Sequence, residues 1–174
     1  MTGWRRLLSA RSGAAAIEMA IVAPLMLAIG CGSVEVGNFM LDEHRLIKSV
    51  RDAARYAGRQ PFSTYSACTA AGATISGQLA TDVTNIVRTH RLSGGTDQLP
   101  NWSNAASSIS VKAACATTTI NSQTMSGVYS GNTNGWIVVT VAATLRYQPV
   151  IGAFGFTGRG LDLHAAEQAP VVGV

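Results

Sequence analysis

From Gly13 to Gly37 the chain is an apolar run whose interior carries one charge, Glu18, with Glu35 at its outer edge. No other feature limits the fold as much. As an α-helix, Ala14 to Val34 is about 31 Å long, which matches a hydrocarbon core of about 30 Å. Length and composition therefore predict a membrane-spanning helix over residues 14–37. Pro24 removes one internal hydrogen bond and predicts a mild kink. Gly30, Gly32 and Gly37 weaken the helix without excluding it, because Gly and Pro are both common in membrane helices. A carboxylate carried into hydrocarbon costs about 2.5 to 3.5 kcal/mol on insertion scales, so Glu18 requires either a partner or a route to the headgroups. Ala14 precedes it by only about 6 Å of helix, close enough for the side chain to snorkel toward one face.

The net charge of +4 has a local origin. Arg5, Arg6 and Arg11 precede the apolar run and no acid does; without them 10 basic residues face 9 acidic ones. The basicity belongs to a leader, residues 1–13, and not to a nucleic-acid surface. Trp4, Trp102 and Trp136 do not alternate with basic residues as such a surface would. Positive charge before an apolar segment keeps that end in the cytoplasm and sends the rest of the chain outside. Export carries Cys68 and Cys115 into oxidising conditions, where a Cys68 to Cys115 disulfide is expected, two buried thiols being the alternative. A closed loop of roughly 46 residues gives a stabilisation of about 4 kcal/mol in the chain-entropy account.

Three kinds of processing fit an apolar start. A secretory signal has a charged beginning and an apolar stretch, but here the stretch is long and holds an acid. A lipoprotein signal would use Cys31 as the lipidated residue, after Ala28-Ile29-Gly30. The third places the cut ahead of the apolar run, between Gly13 and Ala14.

The stretch from Arg11 to Leu25, Arg-Ser-Gly-Ala-Ala-Ala-Ile-Glu-Met-Ala-Ile-Val-Ala-Pro-Leu, followed by Val34-Glu35-Val36-Gly37, closely resembles the start of TadE-like proteins. These are minor pseudopilins of tight-adherence (Flp) pilus systems. The resemblance implies processing by a prepilin peptidase, which cuts after a small residue, usually Gly, and leaves Glu as the fifth residue of the mature chain. Counting Ala14 as the first makes Glu18 the fifth. It further implies that Glu18 neutralises the new amino terminus of a neighbouring subunit, an arrangement in which both charges are tolerated in hydrocarbon as a pair. The chain departs from the family at Met19, where Phe or Tyr is usual, and at Cys31.

Beyond the apolar run the pattern becomes amphipathic. Leu46, Val50, Ala53 and Ala57 form one helical stripe, and Asp42 with Arg45, Lys48 with Asp52 and Asp52 with Arg55 can pair on the wet face. Gly58 and Pro61 end this extension, residues 38–58. A second amphipathic helix is expected between Ser63 and Leu92, with Cys68 in its first part. The period then becomes two. Ile109, Val111, Ala113 and Cys115 share one strand face, and Ile137 to Tyr147 gives a longer one. Thr117 to Gly135 reads as a long polar hairpin loop. Leu161, Leu163 and Ala165 mark a third strand after a Gly-rich turn. The second and third strands are too close in sequence for a helical crossover, so the fold class is α+β, an antiparallel sheet covered on one face by helices. The order of elements in the carboxy-terminal half also resembles that of TadE-like proteins, more loosely.

Catalytic constellations are absent from the sequence pattern. His44, His90 and His164 lack metal-ligand spacing, Gly152 to Gly160 does not space as a nucleotide loop, and no Gly-x-Ser-x-Gly elbow occurs. No enzyme activity, metal or cofactor is expected. The reading is a single-pass minor pseudopilin of the bacterial inner membrane, amino terminus cytoplasmic, with a periplasmic globular domain over residues 59–174. Its expected partners are the membrane, other pilins and pseudopilins, the pilus assembly machinery and prepilin peptidase, and not nucleic acid. Two rivals share the anchor: an uncleaved periplasmic binding or envelope protein, and a tethered hydrolase whose site is assembled from residues remote in sequence.

Overall fold

A computed structural model describes residues 11–116, 119–120, 123–124, 126–130, 132, 134–152, 158 and 160–173. Most of the expected leader, with Arg5 and Arg6, and Gly155 of the Gly-rich turn lie outside the described residues. One helix, α1 (Arg11–Gly58), dominates. Its 48 residues make a rod of about 72 Å that runs without interruption through Pro24 and Gly37. Pro24 is accommodated within it. Beyond α1 come strand β1 (Ala73–Thr74), helix α2 (Gln78–Thr89) and strand β2 (Ser108–Cys115). Strands β3 (Thr119–Ile120), β4 (Gln123–Thr124), β5 (Ile137–Arg146) and β6 (Asp162–Pro170) follow.

The main sheet is antiparallel in the order β1-β2-β5-β6, with β5 at its centre. Strand alternation decides which side is covered. Ile137, Val139, Val141, Ala143 and Leu145 of β5, Val111 and Ala113 of β2, and Leu163 and Ala165 of β6 are buried. Opposite them in the core stand Leu46, Val50, Ala53, Ala54 and Ala57 of α1 and Leu79, Val83 and Val87 of α2. Small alanines at the carboxyl end of α1 let helix and sheet approach closely. At Gly58 a Cβ would meet the Pro170 carbonyl oxygen at 2.8 Å, and the Gly58 carbonyl accepts the Val172 N–H at 2.9 Å.

The expected second helix is much shorter than Ser63 to Leu92. A 3-10 turn (Phe62–Tyr65), the β-bridge from Thr69 to Ala114 and strand β1 occupy its first half, and Cys68 lies in that irregular segment. The small residues there offer no apolar stripe, whereas Leu79, Val83 and Val87 do, so the helix begins only at Gln78. Tyr65 anchors the irregular segment by donating its hydroxyl to the Ala57 carbonyl at 2.5 Å. Cys68 and Cys115 are joined in a disulfide, with Cα atoms 5.7 Å apart. The polar connection between β2 and β5 contains the β3–β4 ribbon, and Leu161 falls just outside β6, half exposed. Of the three intrahelical pairs expected on α1, among the described residues only Arg45 with Asp42 forms, at 3.1 Å. Arg51 turns instead to Glu167 of β6, at 3.5 Å.

Candidate functional site

α1 divides into two halves. Residues 13–34 project from the domain with their apolar side chains exposed on every side, Ile17, Met19, Ile21, Leu25, Leu27, Ile29 and Val34 among them. This is the one helix among the described residues long and apolar enough to cross a membrane. Within the projecting half the single polar hydroxyl, Ser33, donates to the Ile29 carbonyl at 2.8 Å, so it carries no unsatisfied hydrogen into an apolar medium. Gly13, Ala14 and Glu18 sit together at the amino end of this half and are exposed. A Cβ at Gly13 would meet nothing within 4 Å. Glu18 makes no ion pair among the described residues, so its carboxylate is open to a partner from outside the chain. Cys31 is a half-buried free thiol, and the Cys68–Cys115 disulfide belongs to the domain, remote in sequence from Glu18.

The packed half begins at Glu35. Only 7% of this residue is exposed, and the sequence pattern did not mark it as a contact. Tyr147, which follows β5, donates its hydroxyl to Glu35 Oε1 at 2.5 Å. The Val150 N–H donates to the same oxygen at 3.3 Å and the Ile151 N–H to Oε2 at 2.9 Å. Asn38, one turn along α1, donates from Nδ2 to the Tyr147 hydroxyl at 3.0 Å, and Phe39 packs edge-on against the Tyr147 ring with centroids 5.1 Å apart. Both carboxylate oxygens are thus covered by donors, the condition under which a buried acid is tolerated. Burial pushes the Tyr147 hydroxyl up to about 12, against the hydrogen bond from Asn38 and with the carboxylate of Glu35 adding to the rise.

Glu35, Phe39, Asp42, Leu46, Ser49, Ala53 and Ala57 follow one another at spacings of three and four. The buried stripe is therefore longer than Leu46 to Ala57, and its extra members include three polar residues. The helical period was the signal that could have found them. Asp42 was expected on the wet face but is buried, and burial raises its carboxyl above the ordinary value against the pull of Arg45. His44, Arg45, Lys48, Arg51 and Arg55 stay exposed on the opposite side.

A polar groove of about 460 Å³ lies where Asn101, Asn104, Arg146, Gln148 and Pro149 meet. Its guanidinium is held by Asp162 at 3.1 Å, and its carboxamides offer hydrogen bonds but no nucleophile beside a base. No group of His, Cys, Asp and Glu among the described residues is placed to hold a metal ion. What the described residues present for interaction is the projecting apolar helix with its one carboxylate, joined to a domain through the contacts of Glu35.

Residues 13–55 match the family model described as TadE-like protein. The matched stretch covers the projecting half of α1, the Glu35 junction and most of the packed half, and none of the sheet. Neither a curated protein nor a solved structure matches the chain.

Proposed function

We propose that this protein is a minor pseudopilin acting in the biogenesis of tight-adherence (Flp) pili, anchored in the inner membrane by residues 14–37 with its domain in the periplasm. The observation that carries this reading is the position of Glu18. It is the one charge on an exposed apolar half-helix, it stands fifth after Gly13, and it lies inside the stretch that matches the TadE-like model. That match supports a role in tight-adherence pilus systems. Cleavage by prepilin peptidase between Gly13 and Ala14 would create an ammonium at Ala14, and Glu18 of one subunit would pair with that group on a neighbour. The work is association with the membrane, with other pilins and with the assembly machinery, and no catalytic step is assigned to the chain.

The test is the intact mass of the protein from cells with active prepilin peptidase. Loss of residues 1–13 is expected, and Gly13→Arg should abolish the loss. Glu18→Leu should insert into the membrane normally yet impair piliation. An unshortened chain, or normal piliation in the Glu18→Leu strain, counts against the proposal and in favour of an uncleaved anchor whose Glu18 snorkels to the cytoplasmic headgroups.

A further inference from the structure

The turn after β5 meets α1 at Glu35, and among its described residues Val150 and Leu161 expose apolar side chains while Gln148 is polar and exposed. Val150, whose N–H reaches Glu35, is 64% exposed and Leu161 is 51% exposed, while Val34 and Val36, the residues flanking Glu35 on the helix, are 58% and 56% exposed. Between the helix and the turn runs a groove of about 260 Å³, lined by Gly32, Glu35, Val36, Phe39, Tyr147 and Leu161. It is apolar except for Glu35, whose carboxylate is already bound. A turn facing water is ordinarily polar, and this one ends the domain on the side from which the apolar half-helix projects.

We infer that this tip, formed by Val150, Ile151 and Leu161 with Val34 and Val36, seats in the outer interfacial layer of the phospholipid bilayer. The inference rests on the reading that residues 14–37 span the membrane. Two observations select lipid as the occupant. First, exposed apolar side chains run along α1 from Ile17 to Val36, and the turn meets the helix at Glu35, within that run. Helix rise places Glu35 about 25 Å beyond Glu18, near the far boundary of a hydrocarbon core of about 30 Å. Second, the backbone N–H groups of Val150 and Ile151 are bound to Glu35 within the chain. Where the interfacial layer gives way to a hydrocarbon core without water, backbone N–H groups satisfied within the chain lower the cost of approach, and Glu35 satisfies these two. The same contact hides the acid from lipid. Glu35 thus draws the turn onto the helix at membrane height, and the domain rests on the bilayer instead of swinging above it.

The experiment uses the full chain in nanodiscs of phosphatidylethanolamine and phosphatidylglycerol. Dansylalanine is placed by codon suppression at position 25, 150 or 128, one at a time, all exposed in the fold, so packing is left alone. Lipids carrying a nitroxide near the glycerol end of the acyl chain serve as quencher for 150, 151 and 128, and lipids carrying it near the methyl end for 25, which lies at mid-span. Quenching at 150 should come within about twofold of that at 25 and exceed that at 128, on the far end of the domain, by about fivefold. Quenching at 25 with 150 as unaffected as 128 overturns the seating while leaving the span intact. Loss of quenching at 25 as well overturns the spanning reading and the inference with it. If 150 is shielded only in discs holding two copies of the protein, the tip is a contact between copies and the lipid assignment fails. Val150→Asp combined with Leu161→Asp should lower quenching of a probe at 151 at least to about half, through loss of apolar contact with the interface; unchanged quenching overturns the assignment.

Discussion

The two halves of α1 share one backbone and one helical geometry, and they differ in what surrounds them. Residues 13–34 are apolar on all sides and touch almost nothing of the domain, whereas residues 35–58 bury one stripe and expose basic residues on the other. The exposed half holds its single acid, Glu18, without an ion pair among the described residues. The packed half holds its first acid, Glu35, under a hydroxyl and two backbone N–H groups. The contrast shows that hydrophobicity alone does not say where a helix is buried by its own protein. The uniformly apolar half is the one left bare, and the half that carries charges makes the core.

Substitution of one leucine in each half tests that division most severely. Leu46 is fully buried among sheet and helix residues, so Leu46→Ala should destabilise the domain by about 2 to 5 kcal/mol, while Leu25→Ala should leave its unfolding midpoint in detergent almost unchanged. Equal effects would mean that the projecting half also supports the domain. Replacing Cys68 and Cys115 together by Ser should cost about 2 to 5 kcal/mol in the same denaturant titration, confined to the domain and without effect on membrane insertion.

The two acids give a smaller and more pointed comparison. Glu35→Gln weakens acceptors that three donors use and should cost about 1 to 3 kcal/mol of domain stability, with Tyr147→Phe falling in the same range. Glu18→Gln should cost the domain nothing measurable, because no described group in the chain depends on it. Smallest is the effect of pH. The hydroxyl of Tyr147 stands at about 12 in the fold against an ordinary 10.0, so between those values the native state holds a proton that the unfolded state has released. Stability should fall as pH rises through that window, and Tyr147→Phe should flatten the fall in alkaline unfolding curves. Asp42 acts at the other end. Its raised carboxyl means that stability is gained as pH falls from its folded value toward 3.8, a gain that Asp42→Asn should remove.

Much of this architecture is legible in the residues. The apolar run, the stripe from Leu46 to Ala57 and the alternation in β2 and β5 each repeat one physical period over enough residues to be unambiguous. Glu35, Asp42 and Ser49 are not legible in hydropathy because they are polar residues in buried positions, satisfied by groups more than a hundred residues away in the case of Glu35. The segment around Cys68 reads as helix in the sequence but is irregular in the fold, because alanine, serine and threonine satisfy several patterns at once. What fixes it is tertiary, the disulfide to Cys115 and the bridge from Thr69 to Ala114. Gly13, Ala14 and Glu18 stand apart: the fold leaves them exposed, and the roles proposed for them involve molecules outside the chain.

The absence of a break in α1 has an angular consequence. Successive residues of a helix are about 100° apart around its axis, so Glu18 points about a quarter turn away from the direction in which Glu35 meets the domain. No loop interrupts the helix between them, so in this fold the two acids keep that offset around a common axis. A neighbour pairing with Glu18 as proposed would meet it on a line offset from the face on which the domain packs, so the bearing of the domain and that of the carboxylate are read from one helix axis.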